Sequence, residues 1–140
     1  MASRRVFADT SFFFALAAKR DPAHRPAVTA YEKLLRARVR LVSTDYIIDE
    51  ILTLTKARIN SATALELLDR IERSEAVDLE EVTPAMFSIS KGYFRKHSDH
   101  GYSFTDCTSF VVMHDLKLRV ALSTDHHFAE AGFEVLLPTA

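Results

Sequence analysis

The sequence predicts a single α/β domain: a layered sandwich built around a mostly parallel five-stranded sheet. Five short β-type runs alternate with longer stretches of helical periodicity, the pattern of parallel strands joined by helical crossovers. The later runs, Val120 to Ser123 and Glu134 to Leu137, are nearly continuous in apolar residues, as strands covered on both faces should be. The chain of 140 residues, 48% of them hydrophobic, suits one core. It has no internal repeat and no linker long enough to divide it, so residues 1–140 are read as one domain.

Arg5 to Ala8 is the first predicted strand. A strongly apolar helix follows over Ser11–Ala18, stopped by Lys19, Arg20 and the breaker Asp21-Pro22. Val28, Tyr31, Leu34 and Leu35 sit at helical spacing in a second helix over about 26–38. Val39–Ser43 is the second strand, and Thr44 or Asp45 caps a third helix reaching Arg58. Ser61 is expected to cap a fourth helix with Leu65, Leu68 and Ile71 on one face and Glu66, Asp69 and Glu72 outside. Ala76–Val82 is the third strand. Thr83 with Pro84 opens a fifth helix to about His97, residues 97–101 form a loop, and Thr105 is expected to cap a sixth helix to about Leu118. Arg119–Ser123, a helical turn at His127–Ala131 stopped by Gly132, and Phe133–Leu137 complete the chain.

Composition narrows the function. The 10 Phe and 4 Tyr, with 26% charged residues, belong to a chain that can fold rather than a disordered one. Lys and Arg number 18 against 19 acids, so any contact with phosphate must come from a local patch. The single cysteine, Cys107, excludes an internal disulfide and a cysteine-based zinc site, and it suits a reducing interior. The first twenty residues imitate a signal peptide, with two arginines before an apolar run. Asp9 in that run argues against export. No stretch is long and apolar enough to span a bilayer, and the expected location is the cytoplasm.

The acids carry the chemistry. Asp9 ends the first strand and Asp125 follows the fourth, which in a parallel sheet is the edge where ligands bind. Asp106, in the first turn of the sixth helix, reaches the same edge if that helix packs back on the sheet in the usual sense. All three have apolar flanks (VFADTSFFF, YSFTDCTSFVV, VALSTDHHF), where a carboxylate is costly unless paired or bound to a cation. At about 100° per residue, Glu50 falls on the border of the apolar face of the third helix, while Asp49 points away. Four carboxylates around one pocket suit Mg²⁺ or Mn²⁺ and displacement at phosphorus by metal-activated water. Taken singly, each acid also has an ordinary explanation as a helix-start, turn or surface residue.

The blocks VFADTSFFFALA, TDYIIDEILTLT, YSFTDCTSFVVM and ALSTDHHFAEAGFEVL resemble, in order, the motifs of PIN-domain ribonucleases, and especially the VapC-like toxins of toxin–antitoxin pairs. The resemblance runs from Val6 to Leu137. It implies that Asp9, Glu50, Asp106 and Asp125 are catalytic metal ligands, supported by the hydroxyls of Thr10 or Ser11 and of Ser123, where threonine is more usual. It further implies an Mg²⁺- or Mn²⁺-dependent endoribonuclease acting on RNA, often homodimeric and held in check by a small antitoxin protein. A PIN-domain nuclease with no antitoxin, or a non-catalytic RNA- or protein-binding module of the same fold, stay open as alternatives.

Other features are weaker. Lys33, Arg36, Arg38 and Arg40, with Lys56 and Arg58, are candidate RNA phosphate contacts, or simply solvated helix ends. Residues 66–81 hold seven acids against two arginines and should face away from RNA. His97, Asp99, His100, His126 and His127 are transition-metal donor types, but their spacing matches no recognised zinc motif. Cys107 reads as a small core residue, with no Cys–His pair in view. Phosphate-transferring folds with an aspartate after the first strand fit poorly: Ser11 stands where one class needs a second aspartate, and Ser123-Thr124-Asp125 where the other needs a lysine. The two-residue connection Asn60-Ser61 predicts an antiparallel hairpin of the third and fourth helices, whose apolar face is expected to form a two-fold dimer.

Overall fold

The computed structural model describes residues 4–138. The elements run β1 (Arg5–Ala8), α1 (Thr10–Ala17), α2 (His24–Arg36), β2 (Arg40–Thr44), α3 (Asp45–Arg58), α4 (Ser61–Arg73), β3 (Val77–Glu80), α5 (Pro84–Lys96), α6 (Phe104–Asp115), β4 (Val120–Leu122), α7 (His126–Glu130) and β5 (Glu134–Val135). The strands form one sheet in the order β3-β2-β1-β4-β5, and every pairing is parallel. The fold class read from the sequence is the one found.

The strand order reverses at β1. Chain connections leave β1 toward β2 and β3, then return past β1 to β4 and β5. Right-handed crossovers therefore place α1–α4 on one face and α5–α7 on the other. Within each group α1 packs on α2 and α3, α3 on α4, and α5 and α7 on α6; the groups meet where Tyr46 of α3 reaches Phe87 of α5 and Phe104 of α6. The reversal leaves a crevice beyond the carboxyl ends of β1 and β4, the usual ligand position in open α/β sheets. The amide of Asp9 donates to the Leu122 carbonyl at 3.1 Å, which fixes the two strand ends beside each other.

The core is built from the aromatic and branched residues of the central strands and of α6. Phe7, Phe12, Phe110 and Phe128 are fully buried, and Phe110 meets Phe128 edge-on with ring centroids 5.0 Å apart. Helix α6 is buried all round from Asp106 to Met113. Each such phenylalanine contributes about 2–3 kcal/mol through burial. This rigid centre holds Asp9 and Asp106, at the ends of β1 and the start of α6. No helix among the described residues is long and apolar enough to cross a membrane.

Three local expectations need correction. Ser103, not Thr105, caps α6: its Oγ accepts from the Asp106 amide, while the Asp106 carboxylate accepts from the Ser103 amide, both at 3.0 Å. This reciprocal box satisfies two donors, where a cap at Thr105 would leave the box unformed. Asn60, not Ser61, caps α4, its side chain accepting from Thr63 at 2.7 Å. The inward face of α4 is Ala64, Leu67 and Ile71; Leu65 is 62% exposed. A helix places i, i+3 and i+7 on one stripe, and the small Ala64 starts that stripe. Other boundaries shift by a few residues at most, the usual scatter at frayed ends.

Candidate active site

A cleft of about 290 Å³ opens at the carboxyl edge of β1 and β4. Asp9, Glu50, Asp106 and Asp125 all line it, with Asp21 as a fifth acid. Four elements deliver the four expected acids: the β1–α1 junction, α3, the first turn of α6, and the cap of α7. Glu50 is half-buried and faces the cleft, whereas its neighbour Asp49 is exposed.

Asp9 occupies the N-cap position of α1 by its backbone, yet its carboxylate makes no capping bond. It is instead aimed into the cleft by two hydroxyls. Ser123 Oγ and Ser11 Oγ both donate to Asp9 Oδ2, at 2.8 and 2.9 Å. Those hydroxyls are themselves oriented, because each accepts a backbone amide: Asp125 N–H to Ser123, and Thr124 N–H to Ser11, both at 2.9 Å. The SxD turn after β4 thereby ties the first acid to the last. Thr10 Oγ1 is buried and has no hydrogen-bond partner among the described residues.

The electrostatics follow from this packing. Burial pushes the Asp9 carboxyl from 3.8 up to about 7; the Ser123 and Ser11 hydroxyls work against that rise, and the charge of Asp106 adds to it. Burial also raises Asp106, opposed by the Ser103 amide, increased by the charge of Asp125 and opposed again by His127. Two buried acids thus hold their protons more tightly than free carboxylates do. The donor set is all hard oxygen, and its mutual repulsion is relieved by a divalent cation such as Mg²⁺ or Mn²⁺.

His127 was not singled out strongly by the sequence, yet it sits between two of these acids. Its Nδ1 lies 3.1 Å from Asp106 Oδ2 and 3.2 Å from Asp125 Oδ1. The available signal was the Asp125-His126-His127 run after a strand end, which in one dimension looks like an ordinary surface turn. Asp21 looks in the sequence like no more than a helix breaker before Pro22. Its Oδ1 accepts from the Ala23 amide at 2.8 Å, so it shapes the turn while lining the cleft.

The basic candidates separate in space. Arg58 lines the cleft, its guanidinium 5.9 Å from the centre of the Phe14 ring, and is the one cationic lining residue among those described. Lys56 is exposed near the same end of α3. Arg36 and Arg38 lead into the amino end of β2, the opposite edge of the sheet. Arg40 is engaged by Asp78, with Nε and Nη2 donating at 2.7 and 2.6 Å. The structure does not bring these three to the acids.

A family profile for the PIN domain matches residues 6–134. The 23S rRNA-specific endonuclease VapC20 of Mycobacterium tuberculosis is 31% identical over 134 residues, covering 95% of this chain and 98% of that protein. The crystal structure of M. tuberculosis VapC20, a sarcin–ricin loop cleaving toxin, superposes with a TM-score of 0.84 at 28% identity, over 95% of this chain and 99% of the other. VapBC2 from Rickettsia felis, crystallised with a DNA fragment from its promoter, shares the fold at a TM-score of 0.69 and 9% identity, over 94% and 96% of the two chains.

Proposed function

The chain belongs to the PIN-domain family of nucleases, and on that premise we propose that its acid-lined cleft is the active site of a divalent-metal-dependent endoribonuclease, the toxin of a toxin–antitoxin pair. The observation that carries this reading is the convergence of Asp9, Glu50, Asp106 and Asp125 on one cleft, with Asp9 raised to about 7 by its burial. Those four acids would hold the cation. When bound, Mg²⁺ or Mn²⁺ supplies Lewis-acid activation of water and of the phosphate oxygens.

The remaining work falls to the chain itself. Ser11 and Ser123 fix the Asp9 carboxylate in one orientation, so that its position does not depend on the ligand. The capping box fixes Asp106 in the same way. Arg58 at the rim, with Lys56 beyond it, offers a cationic seat for a backbone phosphate of the RNA. Structured ribosomal RNA is the first substrate to test, because the VapC20 similarities are to a protein described as acting on 23S rRNA and its sarcin–ricin loop. The test is cleavage of ribosomal RNA by the purified chain with Mg²⁺, with Mn²⁺ and with EDTA. Cutting must require a divalent ion and must disappear in Asp9→Asn.

Two partners complete the reading. A small antitoxin is expected to inhibit cleavage when co-purified. A two-fold homodimer is expected through the α3–α4 hairpin, where Ile59 and Leu65 are 37% and 62% exposed. Light scattering at tens of micromolar checks it: the wild type should be a dimer and Leu65→Asp a monomer.

A further inference from the structure

Beside the hard-oxygen cleft lies a second donor set of different chemistry. His127 Nδ1 is 3.1 Å from Asp106 Oδ2 and 3.2 Å from Asp125 Oδ1, and His126 Nδ1 is 3.8 Å from the same Asp125 oxygen. Ligand atoms of Asp125, His126 and His127 all lie within 4.8 Å of one another. A tetrahedral zinc ion with bonds of about 2.0–2.1 Å spaces its ligands about 3.3 Å apart. We infer that Asp125, His126 and His127 form a site for one zinc-like transition-metal cation, overlapping the nuclease site at Asp125 and lying against Asp106. The overlap, and hence the expected inhibition, rests on the nuclease reading; the binding does not.

Three features favour this occupant. The first is charge. A neutral imidazole carries one hydrogen, yet Nδ1 of His127 faces oxygens of two carboxylates, so at most one contact can be a full hydrogen bond. A cation in place of that proton satisfies both acids at once. The second is donor type: two imidazoles suit zinc, cobalt or nickel, while Mg²⁺ prefers oxygen and keeps its waters.

The third is the shell behind the ligands, which sets their orientation. Asp125 Oδ1 accepts from the His127 amide at 2.9 Å, and Asp106 Oδ2 from the Ser103 amide at 3.0 Å. Glu130 Oε1 stands 3.6 Å from Nε2 of His126, the ring nitrogen the ion does not use, which leaves Nδ1 for the ion. His126 is 59% exposed, which leaves its ring free to close the last gap. Gly101 makes room for His127: a Cβ there would lie 3.0 Å from Nε2 of that ring. With Asp125 engaged by zinc, the four-acid set is broken, and Mg²⁺-dependent cleavage should stop.

The test is calorimetric titration of the metal-free full chain with ZnCl₂, without RNA. One tight equivalent is expected, weakened about tenfold or more in His126→Ala and in His127→Ala. Co²⁺ titration should give the intense visible band of a tetrahedral site in the wild type, and neither variant should show it. Circular dichroism establishes that each variant is folded. In a separate assay, His126→Ala should cleave RNA like the wild type in Mg²⁺ alone and should keep cleaving at zinc concentrations that stop the wild type. Zinc affinity unchanged in both histidine variants would place the ion on the carboxylates alone and overturn the site. So would the absence of a one-to-one event. Failure of the wild type to cut RNA in Mg²⁺ would strike the nuclease reading, with the zinc titration still deciding this one.

Discussion

Asp9 and Asp78 belong to the same parallel sheet and are treated in opposite ways. Asp78 lies on the edge strand β3, half-exposed, with a forked guanidinium from Arg40 two residues before its register partner on β2. That partner holds the Asp78 carboxyl below the usual carboxylate range. Asp9 ends the central strand, is 4% exposed, and receives two serine hydroxyls but no cationic side chain among the described residues. Its carboxyl is driven up to about 7. The chain completes the first site by itself and leaves the second one a positive charge short. A carboxylate kept buried at that cost, at the crevice of a parallel sheet, is what the proposed metal-binding role would explain.

The sharpest way to break the comparison is to neutralise each acid in turn. Asp9→Asn should reduce RNA cleavage by about a thousandfold or more, and Asp106→Asn similarly, while neither lowers the melting temperature in EDTA. Asp78→Asn should cleave like the wild type. Comparable activity losses at positions 9 and 78 would remove the distinction.

The two acids should also respond to pH with opposite signs. The folded pKa of Asp9 lies above its unfolded value of 3.8, so the folded state binds more protons between about 4 and 7. Metal-free protein should therefore lose stability as pH rises through that window, by at most about 4 kcal/mol from this group. Asp78 is depressed, so its contribution is complete above the ordinary carboxylate pKa and fades only in stronger acid. Urea unfolding in EDTA at pH 5 and pH 8 measures the first effect. Adding Mg²⁺ at pH 8 should restore the loss, and a flat profile would contradict the burial argument.

Helix α3 provides a smaller and cleaner contrast between adjacent acids. Glu50→Gln should cost about a hundredfold in cleavage and Asp49→Asn less than about twofold, because only Glu50 faces the cleft. Initial rates at saturating Mg²⁺ decide it. The smallest effect belongs to the edge pair: Asp78→Asn should lower the melting temperature by no more than about 3 °C, since half-exposed ion pairs are weak and screened.

Much of this was legible in one dimension. The alternation of apolar strands and helical runs specified the sheet, and the rule that sites lie at the carboxyl edge makes Asp9 and Asp125 candidates from their sequence positions alone. Helical arithmetic alone separated Glu50 from Asp49, since 100° per residue is a local property. The misplaced features depend on competition between neighbours. Ser103 and Thr105 are both competent caps, and the reciprocal bond with Asp106 decides between them. Leu65 and Leu67 are equally apolar, and the position of α4 against α1 and α3 decides which is covered.

What the sequence determined by itself is periodic or local: five strands of a parallel sheet, the helices between them, the outward turn of Asp49 against the inward turn of Glu50, and the four acids as candidates. These follow from backbone geometry and solvation, which act over a few residues. Tertiary structure alone decided which groups share the cleft and in what electrostatic state. It placed His127 between Asp106 and Asp125, brought the hydroxyl of Ser123 within 2.8 Å of Asp9, set Arg58 in the wall of the acid-lined cleft and paired Arg40 with Asp78. Hydrogen bonds and ion pairs fall off within a few ångströms, and burial sets the local dielectric. Partners remote in sequence therefore acquire their chemistry only after the sheet has closed around them.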